Sequence, residues 1–174
     1  MITIKEFLLG RENKHANVVE ATDKNIRQLV QEAIKENGID ADLNFIDVSQ
    51  VTNMYSLFEY SDFCGDISNW DVSNVICMEG MFYGARMFNC DISKWNVRNV
   101  ENFNEMFKGA DVFNQPIGKW KLEKAKYMAQ MFYCASHFDQ DLSHWNVNDV
   151  TNHYLVFSGS AMASKQHLWP KFKK

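Results

Sequence analysis

Hydrophobic positions along this chain recur on a period of 25 residues. Trp70, Trp95, Trp120 and Trp145 mark four copies of one phrase, "GDISNWDVSNV", "CDISKWNVRNV", "QPIGKWKLEKA" and "QDLSHWNVNDV". A fixed period of this length is the mark of stacked structural units. Counting from each Trp, the second residue is Val72, Val97, Leu122 or Val147, and the fifth is Val75, Val100, Ala125 or Val150. Polar residues sit between and beside these apolar ones, so the phrase predicts a short strand with Trp and Val inward. Farther along come Met78, Phe103 and Met128, then Met81, Met106, Met131 and Val156, each followed by Phe82, Phe107, Phe132 or Phe157. Separations of three and four predict one face of a short helix. Asn74, Asn99 and Asp149 stand where its N-cap belongs, and Gly84, Gly109 and Gly159 where its C-terminal cap belongs. The expectation is an α/β repeat solenoid, a short parallel strand ladder plus one short helix per unit.

The ends break the period. Residues 1–42 carry no copy of it, and within them "TDKNIRQLVQEAIKENG" spaces Ile26, Leu29, Val30, Ala33 and Ile34 as one amphipathic helix. Thr22 or Asp23 suits its N-cap and Gly38 its C-terminal stop, which makes 1–42 a capping element within the same domain. Residues 43–163 hold about five units, and 164–174 form a basic tail or cap. Met162, Leu168 and Trp169 are expected to fold back over the stack, with Lys171, Lys173 and Lys174 solvated. One unit alone is too small to bury its large side chains, so neighbours must complete the core. Trp70, Trp95, Trp120, Trp145, Phe82, Phe107 and Phe132 are its expected members.

Composition narrows the function classes. The 174 residues are 46% hydrophobic with 13 Phe, 6 Tyr and 5 Trp, enough for one well-filled domain. A formal charge of −4 is too mild to point to nucleic acid or a membrane, and no apolar run approaches the roughly 18 residues of a membrane span. With no leader in view, a cytoplasmic location is expected. Cys64, Cys77, Cys90 and Cys134 form no CxxC pair and are expected as buried free thiols. Five histidines make no HxxxH or HExxH pattern, so neither metal nor cofactor is expected.

The phrase Ile92-x-x-Trp95-x-Val97-x-x-Val100 overlays the leucine-rich-repeat pattern with Trp and Val in leucine places. More specifically, "FNCDISKWNVRNVENFNEMFKGADVFN" resembles the 25-residue BspA-type repeat of bacterial surface and mycoplasmal lipoproteins, a distant leucine-rich-repeat relative. Unit 120–144 departs from it, reading "WKLEKAKYM". The resemblance implies a leucine-rich-repeat-like solenoid, functions in adhesion and protein binding, and no shared active site.

With Trp and Val inward, the strand face would display Asp71, then Lys94, Asn96 and Arg98, then Lys119, Lys121 and Glu123, then His144 and Asn146. The middle of that face is basic, a pattern suited to an acidic protein surface and, with weaker support, to a phosphate backbone. A second column, Asp66, Asp91 and Asp141, repeats one carboxylate per unit. Its expected work is to accept hydrogen bonds from local turn backbone, as is that of Asn89, Asn114 and Asp139. An active site needs different residues converging once, and here one residue type recurs. The expected function is therefore a non-catalytic protein–protein interaction module using the strand face and adjoining loops. Two alternatives are a small intracellular inhibitor of an enzyme, such as a nucleic-acid-handling or defence enzyme, and surface adhesin-type binding.

Overall fold

The computed structural model describes residues 18–173. Part of the expected capping element, 1–17, and Lys174 of the expected tail lie outside the described residues. The α/β, leucine-rich-repeat-like solenoid is overturned. Among the described residues there is one α-helix, α1 (Ile26–Asn37), and one two-residue parallel pair, β1 (Val19–Glu20) with β2 (Ile46–Asp47). Two short 3₁₀ segments, Ile117–Lys119 and Gln166–Leu168, complete the regular structure. Turns and isolated parallel bridges make up nearly all the rest.

The reason lies in where the backbone N–H groups go. In the expected strand, the Trp95 N–H donates to the Ile92 carbonyl (3.1 Å) and the Val100 N–H to the Val97 carbonyl (3.1 Å), so the phrase is two successive turns. In the expected helix, Gly80 and Gly84 take φ of 60° and 64°, as do Glu105, Gly109, Gln130 and Cys134 at matching places with φ of 56° to 67°. Left-handed residues four apart stop a right-handed helix at each occurrence. N–H groups then alternate in role. Met81 and Tyr83 close i→i−3 turns on Met78 and Gly80, while Gly80 and Phe82 donate to the Asn104 and Met106 carbonyls, one copy of the phrase farther on.

Each copy thus forms a tier bonded to the next, with bridges running Asn53 to Cys77, Cys77 to Asn102, Asn102 to Tyr127 and Tyr127 to Asn152. Inside, Phe58, Phe82, Phe107, Phe132 and Phe157 stack at centroid spacings of 5.4, 5.5, 5.6 and 5.8 Å. Phe88, Phe113 and Phe138 form a second column beside them. All four expected Trp residues are buried, and each indole N–H reaches into the preceding tier, to the Leu43, Ile67, Ile92 and Ile117 carbonyls at 3.0 to 3.3 Å. Trp is thereby both a core filler and a bond between tiers, which apolar residues of similar bulk cannot supply.

Helix α1 covers the first tier with Ile26, Val30 and Ala33 buried. Its start differs from expectation. The Ile26 N–H donates to the Thr22 carbonyl (3.0 Å), and Asn25 reaches back to accept from the Thr22 N–H (2.6 Å). Asp23 leaves the helix altogether and accepts from the Thr52 N–H (2.7 Å), the Thr52 hydroxyl (2.6 Å) and the Asn53 N–H (3.0 Å). In later tiers that pair of N–H groups is met by a carbonyl of the tier before, Thr52, Ile76, Glu101 or Lys126. Asp23 supplies the oxygen that the first tier has no predecessor to give. Partial burial works against its ionisation, but the bonds from Thr52 and Asn53 outweigh that and hold the carboxyl below its ordinary value.

A depressed carboxyl contributes stability above its unfolded value, and the contribution is lost as pH falls through the folded one. Asp23→Ala is therefore expected to lose about 1 kcal/mol at neutral pH, as for a removed helix cap. Its deficit against wild type should shrink below about pH 4, which urea titrations at several pH values would check. A deficit independent of pH would contradict the capping role.

Candidate functional site

The residues expected on the strand face share one exposed surface, although the segment carrying them is turns. Asp71, Lys94, Asn96, Arg98, Lys119, Lys121, Glu123, His144 and Asn146 are all exposed, alternating with buried Trp95, Val97, Trp120, Leu122, Trp145 and Val147. Some are already engaged. Asp71 accepts from the Ser73 N–H (3.0 Å), Asn146 from the Asn148 N–H (3.3 Å), and Arg98 pairs with Glu123 (3.5 Å). Lys126, beside the stripe, is taken by Glu101 (2.7 Å), which raises its pKa. Among the described residues Lys94, Lys119 and Lys121 have no ion-pair partner within 4 Å. Lys119, Lys121, Glu123, His144 and Asn146 border a hollow of about 580 Å³ floored by Gly118, Trp120 and Leu122.

The carboxylate column is committed to turns. Asp66, Asp91 and Asp141 accept from the Ser68, Ser93 and Ser143 N–H groups at 2.8, 2.9 and 2.9 Å. Hydrogen bonding from the same serines holds all three carboxyls below the usual range, the hydroxyl leading for Asp91 and Asp141 and the backbone N–H for Asp66. The amide column is a true ladder: Asn89 Oδ1 accepts from the Asn114 N–H and Asn114 Oδ1 from the Asp139 N–H, both at 3.0 Å. Lys165 closes it by bonding the Asp139 carboxylate.

The four thiols are free, as expected, but only partly buried, with Cys134 exposed. Burial pushes the Cys90 thiol up to about 11, helped by the neighbouring Asp66 and Asp91 charges, so it is protonated and unreactive at neutral pH. Among the described residues no group of three or more His, Cys, Asp and Glu side chains could hold a metal ion, and no helix is long and apolar enough to cross a membrane.

The C-terminal tail holds a further Trp in the place that the strict 25-residue spacing misses by one. Trp169 lies 24 residues after Trp145, the same shortening by one that the "YSDFCGD" stretch of the first unit shows. It packs on Phe157 (4.9 Å), as Trp145 packs on Phe132 (6.4 Å), and a 3₁₀ segment precedes it as one precedes Trp120. Spacing alone, with one deletion allowed, carried that signal.

Comparison with known proteins finds no match among curated proteins and none among solved structures. A family model described as "Mycoplasma protein of unknown function, DUF285" matches residues 24–127 and 60–169, which together span 24–169. The tier-forming phrases and the whole of helix α1 fall within those matches, and the chain belongs to the DUF285 family.

Proposed function

We propose that this chain is a non-catalytic protein-binding module, built of BspA-type repeats, that takes an acidic partner surface on the face bearing Lys94, Lys119 and Lys121. The observation that carries the reading is the set of three exposed lysines without ion-pair partners, two of them bordering a hollow with His144 and Asn146. Unpaired ammonium groups above a rigid apolar frame steer acidic surfaces and cost little to desolvate at a rim. The carboxylates support the non-catalytic part, because Asp66, Asp91 and Asp141 each serve a turn in their own tier.

The test is quantitative affinity capture from native lysate with wild type and with the K94E/K119E/K121E chain. Proteins held by wild type should be lost from the variant, with affinity down about tenfold or more and falling with added salt. Since all three side chains are exposed, the thermal midpoint should stay within a few degrees. An unchanged set of captured proteins sinks the proposal.

A further inference from the structure

Every tier but the last hands its backbone to a successor. The N–H groups of Met78, Gly80, Phe82 and Gly84 donate to the Asn102, Asn104, Met106 and Lys108 carbonyls at 2.7 to 2.9 Å, and the Ile76 carbonyl accepts from the Glu101 and Asn102 N–H groups. The same five groups are used in the tiers of Phe103 and Met128. In the last tier they are the N–H groups of His153, Leu155, Phe157 and Gly159 and the carbonyl of Thr151. None of them has a hydrogen-bond partner among the described residues.

This edge already has the receiving conformation. Leu155 and Gly159 take φ of 53° and 74°, as Gly80 and Gly84 take 60° and 64°. Phe157 is 2% exposed, so its unmatched N–H sits in a residue largely shut off from solvent. Trp169 and Phe172, the latter stacked on His153 at 4.3 Å, wall a groove of about 470 Å³ with Leu155, Phe157, Gly159 and Ala163. At each interface within the stack, the next tier's Phe fills the corresponding place, as Phe157 does on Phe132.

We propose that this end docks a turn-forming segment of another polypeptide carrying a Met-Phe-x-Gly-Ala phrase, whose backbone continues the tier-to-tier bonding. Its carbonyls accept from His153, Leu155, Phe157 and Gly159, its leading N–H groups donate to Thr151, and its Phe stacks on Phe157. Continuity with the interfaces already in the stack selects this occupant. A lone anion would meet the four donors and leave the Thr151 carbonyl unmet. A second copy fits poorly: its first tier is covered by α1, with Asp23 and Arg27 already bonded to that tier's backbone. Two such ends face to face would set donor against donor.

The probe is an acetylated and amidated peptide of residues 100–113, VENFNEMFKGADVF, added to the full chain while amide exchange is followed by NMR. At ten times its Kd, exchange at His153, Leu155, Phe157 and Gly159 should slow about tenfold. A Phe107→Ala peptide should bind about tenfold more weakly. The K94E/K119E/K121E chain should bind the peptide as wild type does, which separates this edge from the basic face. Absence of protection, equal protection by a scrambled peptide or by inorganic phosphate, or protection that rises with protein concentration alone would each overturn the proposal.

Discussion

Trp95→Ala is expected to lower stability by about 4–6 kcal/mol, read as a large fall in the urea midpoint. Deleting a buried Trp side chain costs about 3–5 kcal/mol in lost burial and cavity, and Trp95 is 4% exposed. The indole N–H also donates to the Ile67 carbonyl at 3.2 Å, an oxygen that the Trp70 N–H shares, and losing this bond between tiers adds about 1 kcal/mol. Against a domain stability of roughly 5–15 kcal/mol this is close to unfolding. The loss should spread, because a tier rests on its neighbours: Phe82 packs on Trp95 at 6.4 Å and on Phe107 at 5.5 Å. Trp95→Phe keeps most of the filling and removes the bond, so it should fall about 1–2 kcal/mol below wild type. Equal losses for the two variants would show that the bond between tiers, and not packing, dominates.

Burial was the most legible property of the sequence. Inward positions named from the columns, Val72, Val97, Met81, Phe107 and their counterparts, are buried because apolar recurrence reports burial whatever backbone carries it. Backbone shape was not legible in the same pattern. Separations of three and four at Met78, Met81 and Phe82 are shared by a helix and by overlapping turns, and only φ at Gly80 and Gly84 distinguishes them. Gly80 hints at this, but Glu105 and Gln130 hold the same left-handed place and give no such hint. The exposed face was read from alternation, which turns at Trp95 and Val100 reproduce as well as a strand does. Its charge state was not: Arg98 looks as free as Lys94 in the sequence, and only tier stacking brings Glu123 within 3.5 Å. Asp23 was hidden for the same reason, its partners lying 29 and 30 residues away.

Gly65→Ala is expected to cost about 3–4 kcal/mol although it adds one methyl group. A Cβ at Gly65 would lie 2.0 Å from the Ala41 carbonyl oxygen and 2.8 Å from the Ala41 nitrogen, inside backbone that cannot rotate away. On either side the Cys64 N–H donates to the Ile39 carbonyl (2.8 Å) and the Asp66 N–H to the Ala41 carbonyl (3.0 Å). Overpacking by a methylene costs about 1–3 kcal/mol, and relief here requires giving up at least one of those bonds at about 1 kcal/mol each. Segment 39–43 joins α1 to the first tier, so the strain falls on the seam where the helix meets the stack. Gly109→Ala is the contrast, with no atom nearer than 3.8 Å and only a left-handed φ of 67° against it. It should lose about 1–2 kcal/mol. For a chain of this size the gap corresponds to several degrees in Tm, measurable by calorimetry. The position equivalent to Gly65 holds Cys90, Gln115 and Gln140 in later copies, so the glycine departs from its own column. Later tiers carry a side chain at this position, and only where the first tier meets the backbone of Asp40 and Ala41 is there no room for one.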